Sequence, residues 1–232
     1  MPFPTMFADS THQLACAKTR YAKSAVAAFA GLALALAMPA VHAHQNHAHP
    51  AQQAEADQAA GKVHIKVPDT VLTDQNGKSL RFRTEAMADR LVVINFVYTT
   101  CSTVCPVQSA LFADVQKRLG ERAGRDVALI SVTVDPLRDT PARLKEFAAG
   151  YGAGPGWSLY TGSSQAVDEV LKAFDAYTAN FTEHPPAVLV GDPRSGEWVR
   201  FFGFPSTEQI LGRLTELQAG RQGARSAQAK AN

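Results

Sequence analysis

The chain has 232 residues, 46% hydrophobic and 19% charged, enough for one domain with a real core plus appendages. A net charge of +2 leaves no electrostatic footprint for nucleic acid. Even that excess sits at the N-terminus: residues 1–43 hold Lys18, Arg20 and Lys23 against Asp9, so of 23 basic and 21 acidic residues 20 of each remain beyond it.

Those first residues read as a secretory leader. Lys18, Arg20 and Lys23 precede the apolar run AVAAFAGLALALAMP from Ala25 to Pro39, and Val41-His42-Ala43 supplies the small residues a signal peptidase reads. The run is shorter than the roughly 20 residues that span a bilayer, so cleavage is expected over retention as an uncleaved anchor. Cys16 lies before the apolar run and leaves with the leader, which reduces the cysteines to Cys101 and Cys105. In an oxidising compartment such a close pair is a disulfide, a redox couple or a metal site.

Residues 44–61 lack large apolar side chains and are expected to be a flexible linker. His44, His47 and His49 crowd its start, either as a loose metal-catching tract or as a plain polar tail. The folded domain is expected over 62–219. HIKVPDTVLTDQNGKSLRF reads as two short strands about the Asn76-Gly77 turn, an N-terminal β-hairpin. LVVINFVY, from Leu91, is apolar almost throughout and suits a central strand covered on both faces. It runs directly into Thr99-Thr100-Cys101, and Pro106 opens a helix that ends at Gly120. VALISVTV, from Val127, is a second buried strand, ended by Asp135-Pro136. Thr140 and Pro141 start a helix running to Tyr151. GAGPGW is a loop, and Ser163 or Ser164 opens a further helix through QAVDEVLKAFDAY. His184-Pro185-Pro186 leads into the strand AVLVG, DPRSGE turns the chain, Trp198–Phe202 pairs back, and Thr207–Ala219 forms the closing helix. Residues 220–232 are expected to be disordered. The alternation implies an α/β protein, a central sheet covered by helices. A cysteine pair where the first central strand meets its helix is the thioredoxin-like arrangement, and ligands in open α/β sheets sit at that carboxyl edge.

In CSTVCP, four-residue spacing puts both sulfurs on one face if the segment is helical. A helix N-terminus favours the thiolate, and two thiolates are soft ligands suited to Cu(I). The same sulfurs close a redox-active disulfide if the loop relaxes. A purely stabilising disulfide is disfavoured, because so small a loop yields little chain-entropy stabilisation. His184 is the only histidine of the folded domain after His64, and it precedes a central strand, in the loop that faces the cysteine site in thioredoxin-like folds. It offers the borderline nitrogen an oxidised copper site needs. A closed four-ligand zinc site lacks the residues. Asp135 reads as a turn residue, with support of the site as its other reading, and Phe96 and Tyr98 read as packing that shields sulfur.

Together VINFVYTTCSTVCP, ISVTVDPLRDTPARLKEF, GPGWSLYTGS and the histidine ahead of AVLVGDPRSGEW resemble the Sco/SenC family of copper chaperones over residues 91–217. The resemblance implies a thioredoxin fold and a copper site made by Cys101, Cys105 and His184. It also implies delivery of copper to the dinuclear site of cytochrome c oxidase, or to another periplasmic copper protein. With the leader, it implies a periplasmic protein, or one anchored in the inner membrane facing the periplasm. The family's common form has Pro and Asp inside the cysteine pair and Asp before the histidine; here stand Ser102, Thr103, Val104 and Glu183. The rival reading is a thiol–disulfide oxidoreductase that keeps a partner's cysteines reduced, with Cys101 and Cys105 as attacking and resolving thiols. A peroxidase-like enzyme needs an arginine against its thiol, and none lies between Leu91 and Lys117.

Overall fold

The computed structural model describes residues 60–231. In chain order its strands are β1 (Ala60–His64), β2 (Val71–Asp74), β3 (Ser79–Arg81), β4 (Leu91–Val97), β5 (Val127–Thr133), β6 (Trp157–Thr161), β7 (Ala187–Asp192) and β8 (Glu197–Phe202). The helices are α1 (Val104–Leu119), α2 (Pro141–Gly150), α3 (Ser164–Ala173) and α4 (Thr207–Ala231). The strands form one mixed sheet in the order β1-β8-β7-β4-β5-β6-β2-β3. β4 and β5 are parallel and buried at every position, as their unbroken apolar runs require of strands covered on both faces.

Alternation along β4 divides the core. Val92, Ile94 and Phe96 pack on one face with Val167, Val170 and Leu171 of α3. Leu91 and Val93 pack on the other with Phe112 of α1, Leu144 of α2 and Leu214 of α4. The caps match the sequence. The Thr140 hydroxyl accepts from the Arg143 N–H at 3.3 Å, Ser163 accepts from Ala166 at 3.2 Å, and Gly120 ends α1 at φ +54°.

Four expectations need correction. The two strands expected about the Asn76-Gly77 turn form, but His64 at the head of that stretch does not belong to them. β2 and β3 pair about the Gly77 turn and extend the β6 edge, whereas His64 belongs to β1, which pairs with β8 at the opposite edge. β1 also takes in Ala60 and Gly61, expected to be linker, because edge pairing to Phe201 and Arg200 uses backbone groups and needs no large side chain. Trp157–Thr161, for which the sequence predicts no strand after the Gly-rich loop, is β6; five residues carry a weak signal, and parallel pairing with β5 makes them a strand. Finally, the closing helix does not stop at Ala219, and residues 220–231 are helical rather than disordered. Arg221 donates to both carboxylate oxygens of Asp192 at 2.6 Å and to the carbonyls of Asp89 and Arg90, and the following residues are mostly good helix formers.

Among the described residues no helix is long and apolar enough to cross a membrane. The expected leader, Cys16 and the tract of His44, His47 and His49 lie outside them.

Candidate metal centre

The site begins where β4 runs out. After Val97 the chain turns, with the Cys101 N–H donating to the Tyr98 carbonyl at 3.1 Å, and enters α1 at Val104. The sulfurs are brought together by this loop rather than by helical spacing. The Thr103 side chain makes no capping bond; instead the Cys105 N–H, in the first helical turn, donates to Cys101 Sγ at 3.4 Å. The sulfur thus accepts from an N–H that the helix leaves unpaired. Both cysteines are free thiols, Cys101 7% and Cys105 0% exposed, and they pack with Val97.

Their surroundings push the two thiols apart. Burial alone raises Cys101, but hydrogen bonds to its sulfur from the Cys105 thiol, the backbone of Cys105 and Thr103, and the Tyr98 hydroxyl outweigh burial and bring it down to about 6. Cys105 is pushed up to about 12, first by burial, then by the hydrogen bond it gives Cys101 and by the charges of Cys101 and Asp139. Tyr98 also rises to about 12, through burial and its bond to Cys101, and so remains a donor. At neutral pH the pair is one thiolate and one thiol.

His184 is 6% exposed. Its Nδ1 lies 2.8 Å from the Phe181 carbonyl and its Nε2 3.3 Å from the Phe96 carbonyl. Only one nitrogen of a neutral imidazole carries a proton, so we assign it to Nδ1, the shorter contact, which leaves the Nε2 lone pair against a carbonyl that cannot donate to it. A backbone carbonyl that accepts from one ring nitrogen and so leaves the other unprotonated is the usual support of a ligating histidine. The structure therefore brings Cys101 and Cys105 together but does not gather His184 with them. Among the described residues no three His, Cys, Asp or Glu side chains form a ready metal cage.

Tyr98 stands between the two halves. Its ring lies T-shaped to His184 at 5.9 Å and to Phe181 at 5.2 Å, and its hydroxyl helps to bring Cys101 down. It is more than the packing residue the sequence suggests. Asp139, which nothing in the sequence singled out, is 1% exposed; it accepts from the Thr99 N–H and hydroxyl and from the Thr133 hydroxyl. The loop ahead of Cys101 is anchored there. Asp135 lies in the turn just after β5, and its buried carboxylate pairs with Arg138 at 3.0 Å.

The SCO1/SenC family model matches residues 59–210, and the chain belongs to this family. It is 35% identical over 117 residues to the SCO1 protein homolog of Bacillus subtilis, covering 49% of this chain and 59% of that one. To Protein SenC of Rhodobacter capsulatus it is 30% identical over 127 residues, 51% of this chain and 56% of the other. The chain thus spans somewhat over half the length of these relatives. Among solved structures it resembles ScoI of Bradyrhizobium japonicum with copper bound, at TM-score 0.53 and 25% identity, covering 66% of this chain and 99% of that one. It also resembles BsSco, described as a member of the Sco family of cytochrome c oxidase assembly proteins with a disulfide switch, at TM-score 0.57 and 25% identity over 68% and 96%. The fold is thioredoxin-like.

Proposed function

We propose that this chain is an exported copper carrier that holds the ion between Cys101, Cys105 and His184 and passes it to the dinuclear copper site of cytochrome c oxidase or to another periplasmic copper protein. One observation carries the reading: two buried free thiols packed together at the loop where β4 meets α1, with the Cys105 N–H donating to Cys101 Sγ. This donor set fits copper, since thiolates are soft ligands that suit Cu(I). Cys101 offers its sulfur without first losing a proton, and Cys105 surrenders its proton as the ion binds. His184 joins through Nε2 by leaving the Phe96 carbonyl, while Nδ1–H stays on the Phe181 carbonyl. Cu(I) needs few ligands, whereas Cu(II) prefers imidazole nitrogen and more ligands.

His184→Ala is therefore expected to keep measurable Cu(I) binding and to lose the stable Cu(II)–thiolate absorption, while Cys101→Ser or Cys105→Ser impairs both. A wild-type Cu(II) spectrum in His184→Ala removes His184 from the site. Export rests on the basic residues, apolar run and small-residue exit of residues 1–43; intact mass of periplasmic protein beginning near His44 is the expected outcome, and a mass that includes residues 1–43 overturns cleavage.

The asymmetry of the two thiols favours a second reading, a thiol–disulfide oxidoreductase. The Cys101 thiolate attacks a partner's disulfide, forming a mixed disulfide and releasing one partner thiolate. Cys105 then loses its proton and attacks Cys101 Sγ, closing the Cys101–Cys105 disulfide and releasing the second partner thiolate, so two electrons pass to the partner. Retention of partner reduction by His184→Ala separates this activity from copper carriage.

A further inference from the structure

The segment between β5 and α2 reaches both halves of the site. Through Asp139 it anchors Thr99, two residues before Cys101. Through Arg138 it reaches the histidine side. The Arg138 guanidinium donates to the Asp135 carboxylate, whose side chain is 4% exposed, and lies 5.7 Å from the centre of the Phe181 ring. Phe181 begins the short 3₁₀ turn Phe181–Glu183, and its carbonyl receives His184 Nδ1. Its ring thus has a cation over it and the Tyr98 ring in a T-shaped contact at 5.2 Å.

We propose that Arg138 is a positioning residue for His184: Asp135 holds its guanidinium against Phe181, and Phe181 in turn holds the imidazole. Arg138 is more than half exposed and adjoins Leu137, whose side chain stands almost wholly in solvent, so general packing does not dictate its place. A buried carboxylate does. A charge-assisted hydrogen bond to a group with little access to water resists competition that a surface pair does not. The cation over the ring face then adds an attraction that a neutral side chain lacks. Every link ends on the carbonyl that sets the imidazole tautomer. The inference rests on the reading of His184 as a copper ligand.

The test uses Arg138→Gln, which keeps a donor for Asp135 but removes the cation, together with Arg138→Lys and Phe181→Leu. In the reduced, metal-free protein, long-range ¹H–¹⁵N spectra of the His184 ring should show a single Nδ1–H tautomer. In Arg138→Gln and Phe181→Leu the ring nitrogens should shift toward exchange-averaged values, and Arg138→Lys should restore the wild-type pattern. With copper added, Arg138→Gln should weaken Cu(II) binding by about two- to five-fold and leave Cu(I) binding unchanged. The double variant with Phe181→Leu should be no worse than either single one. Wild-type ring signals in Arg138→Gln, or effects of Arg138→Gln and Phe181→Leu that simply add, overturn the proposal. The metal-free spectra test it independently of the copper reading: if His184→Ala keeps the Cu(II) spectrum the ligand assignment fails, whereas an unmoved imidazole in Arg138→Gln refutes the positioning role alone.

Discussion

Removing the Cys105 thiol should raise the titration of Cys101. In the folded protein Cys101 stands at about 6 rather than at its ordinary 9.0, with the Cys105 thiol the largest of the contributions that bring it down. A hydrogen bond to a charged group contributes about 1.5–3 kcal/mol, and one pKa unit corresponds to about 1.36 kcal/mol. Cys105→Ala should therefore move Cys101 up by about 1–2 units, to a midpoint of about 7–8. The assay is the pH dependence of alkylation by iodoacetamide, followed by mass spectrometry. Rate at a single pH is a poor guide. At pH 7 a thiol titrating near 6 is about nine-tenths thiolate against about one hundredth for an ordinary one, yet its sulfur is about twenty-fold less nucleophilic, leaving roughly a four-fold advantage. The midpoint is the diagnostic quantity. A wild-type midpoint between 8 and 9, or one in Cys105→Ala that stays near 6, would refute the account of the pair.

The same asymmetry predicts that Cu(I) uptake at pH 7.5 releases about one proton per ion, from Cys105, because Cys101 is already ionised; release of two, measured in weak buffer, contradicts this. Oxidation of the pair should expel copper and reduction should restore uptake, since both states use the same sulfurs; tight one-to-one binding by fully oxidised protein refutes it. Gly191→Ala drives a Cβ into the Trp198 ring, which is fully buried opposite it. It should lose about 1–3 kcal/mol, or about 2–12 °C in Tm, and an unchanged Tm contradicts the packing. Arg221→Ala strands the buried Asp192 carboxylate, whose pKa burial would raise but which bonds from Arg221 and Arg194 hold below 3.8. A depressed carboxylate contributes stability above its unfolded value and loses it as pH falls through the folded one. The variant should therefore be less stable by about 3–5 kcal/mol near pH 7, with the gap narrowing below about pH 4. Urea titrations at the two pH values decide, and a gap that does not narrow refutes the linkage.

Much of the architecture is local and so is written in the chain. The apolar runs of β4 and β5, the caps Thr140 and Ser163, the stop at Gly120 and the turn at Gly77 each depend on residues a few positions apart. The cysteine pair shares that locality, since a single loop and one helical turn decide where both sulfurs lie. His184 is legible in the same way, as the only histidine of the folded domain after His64 and the residue ahead of Pro185-Pro186 and a central strand, and the family resemblance travels with the same residue string.

Tertiary structure alone decided the rest. The strand at β6 exists because β5 offers it a parallel partner, and β1 and β2 separate to opposite edges through pairings with β8 and β6 that no local pattern encodes. The long final helix persists because Arg221 finds Asp192, 29 residues away. At the site, the division of the thiols into one near 6 and one near 12 comes from burial and from donors that converge only on folding. Thr99 meets Asp139 across 40 residues, and His184 meets the Phe96 carbonyl across 88. Residue type and spacing determine which atoms are soft donors. Their ionisation, orientation and mutual distance depend on water being excluded and on hydrogen bonds between segments remote in sequence, and those exist only once the sheet has formed and its helices have packed on it.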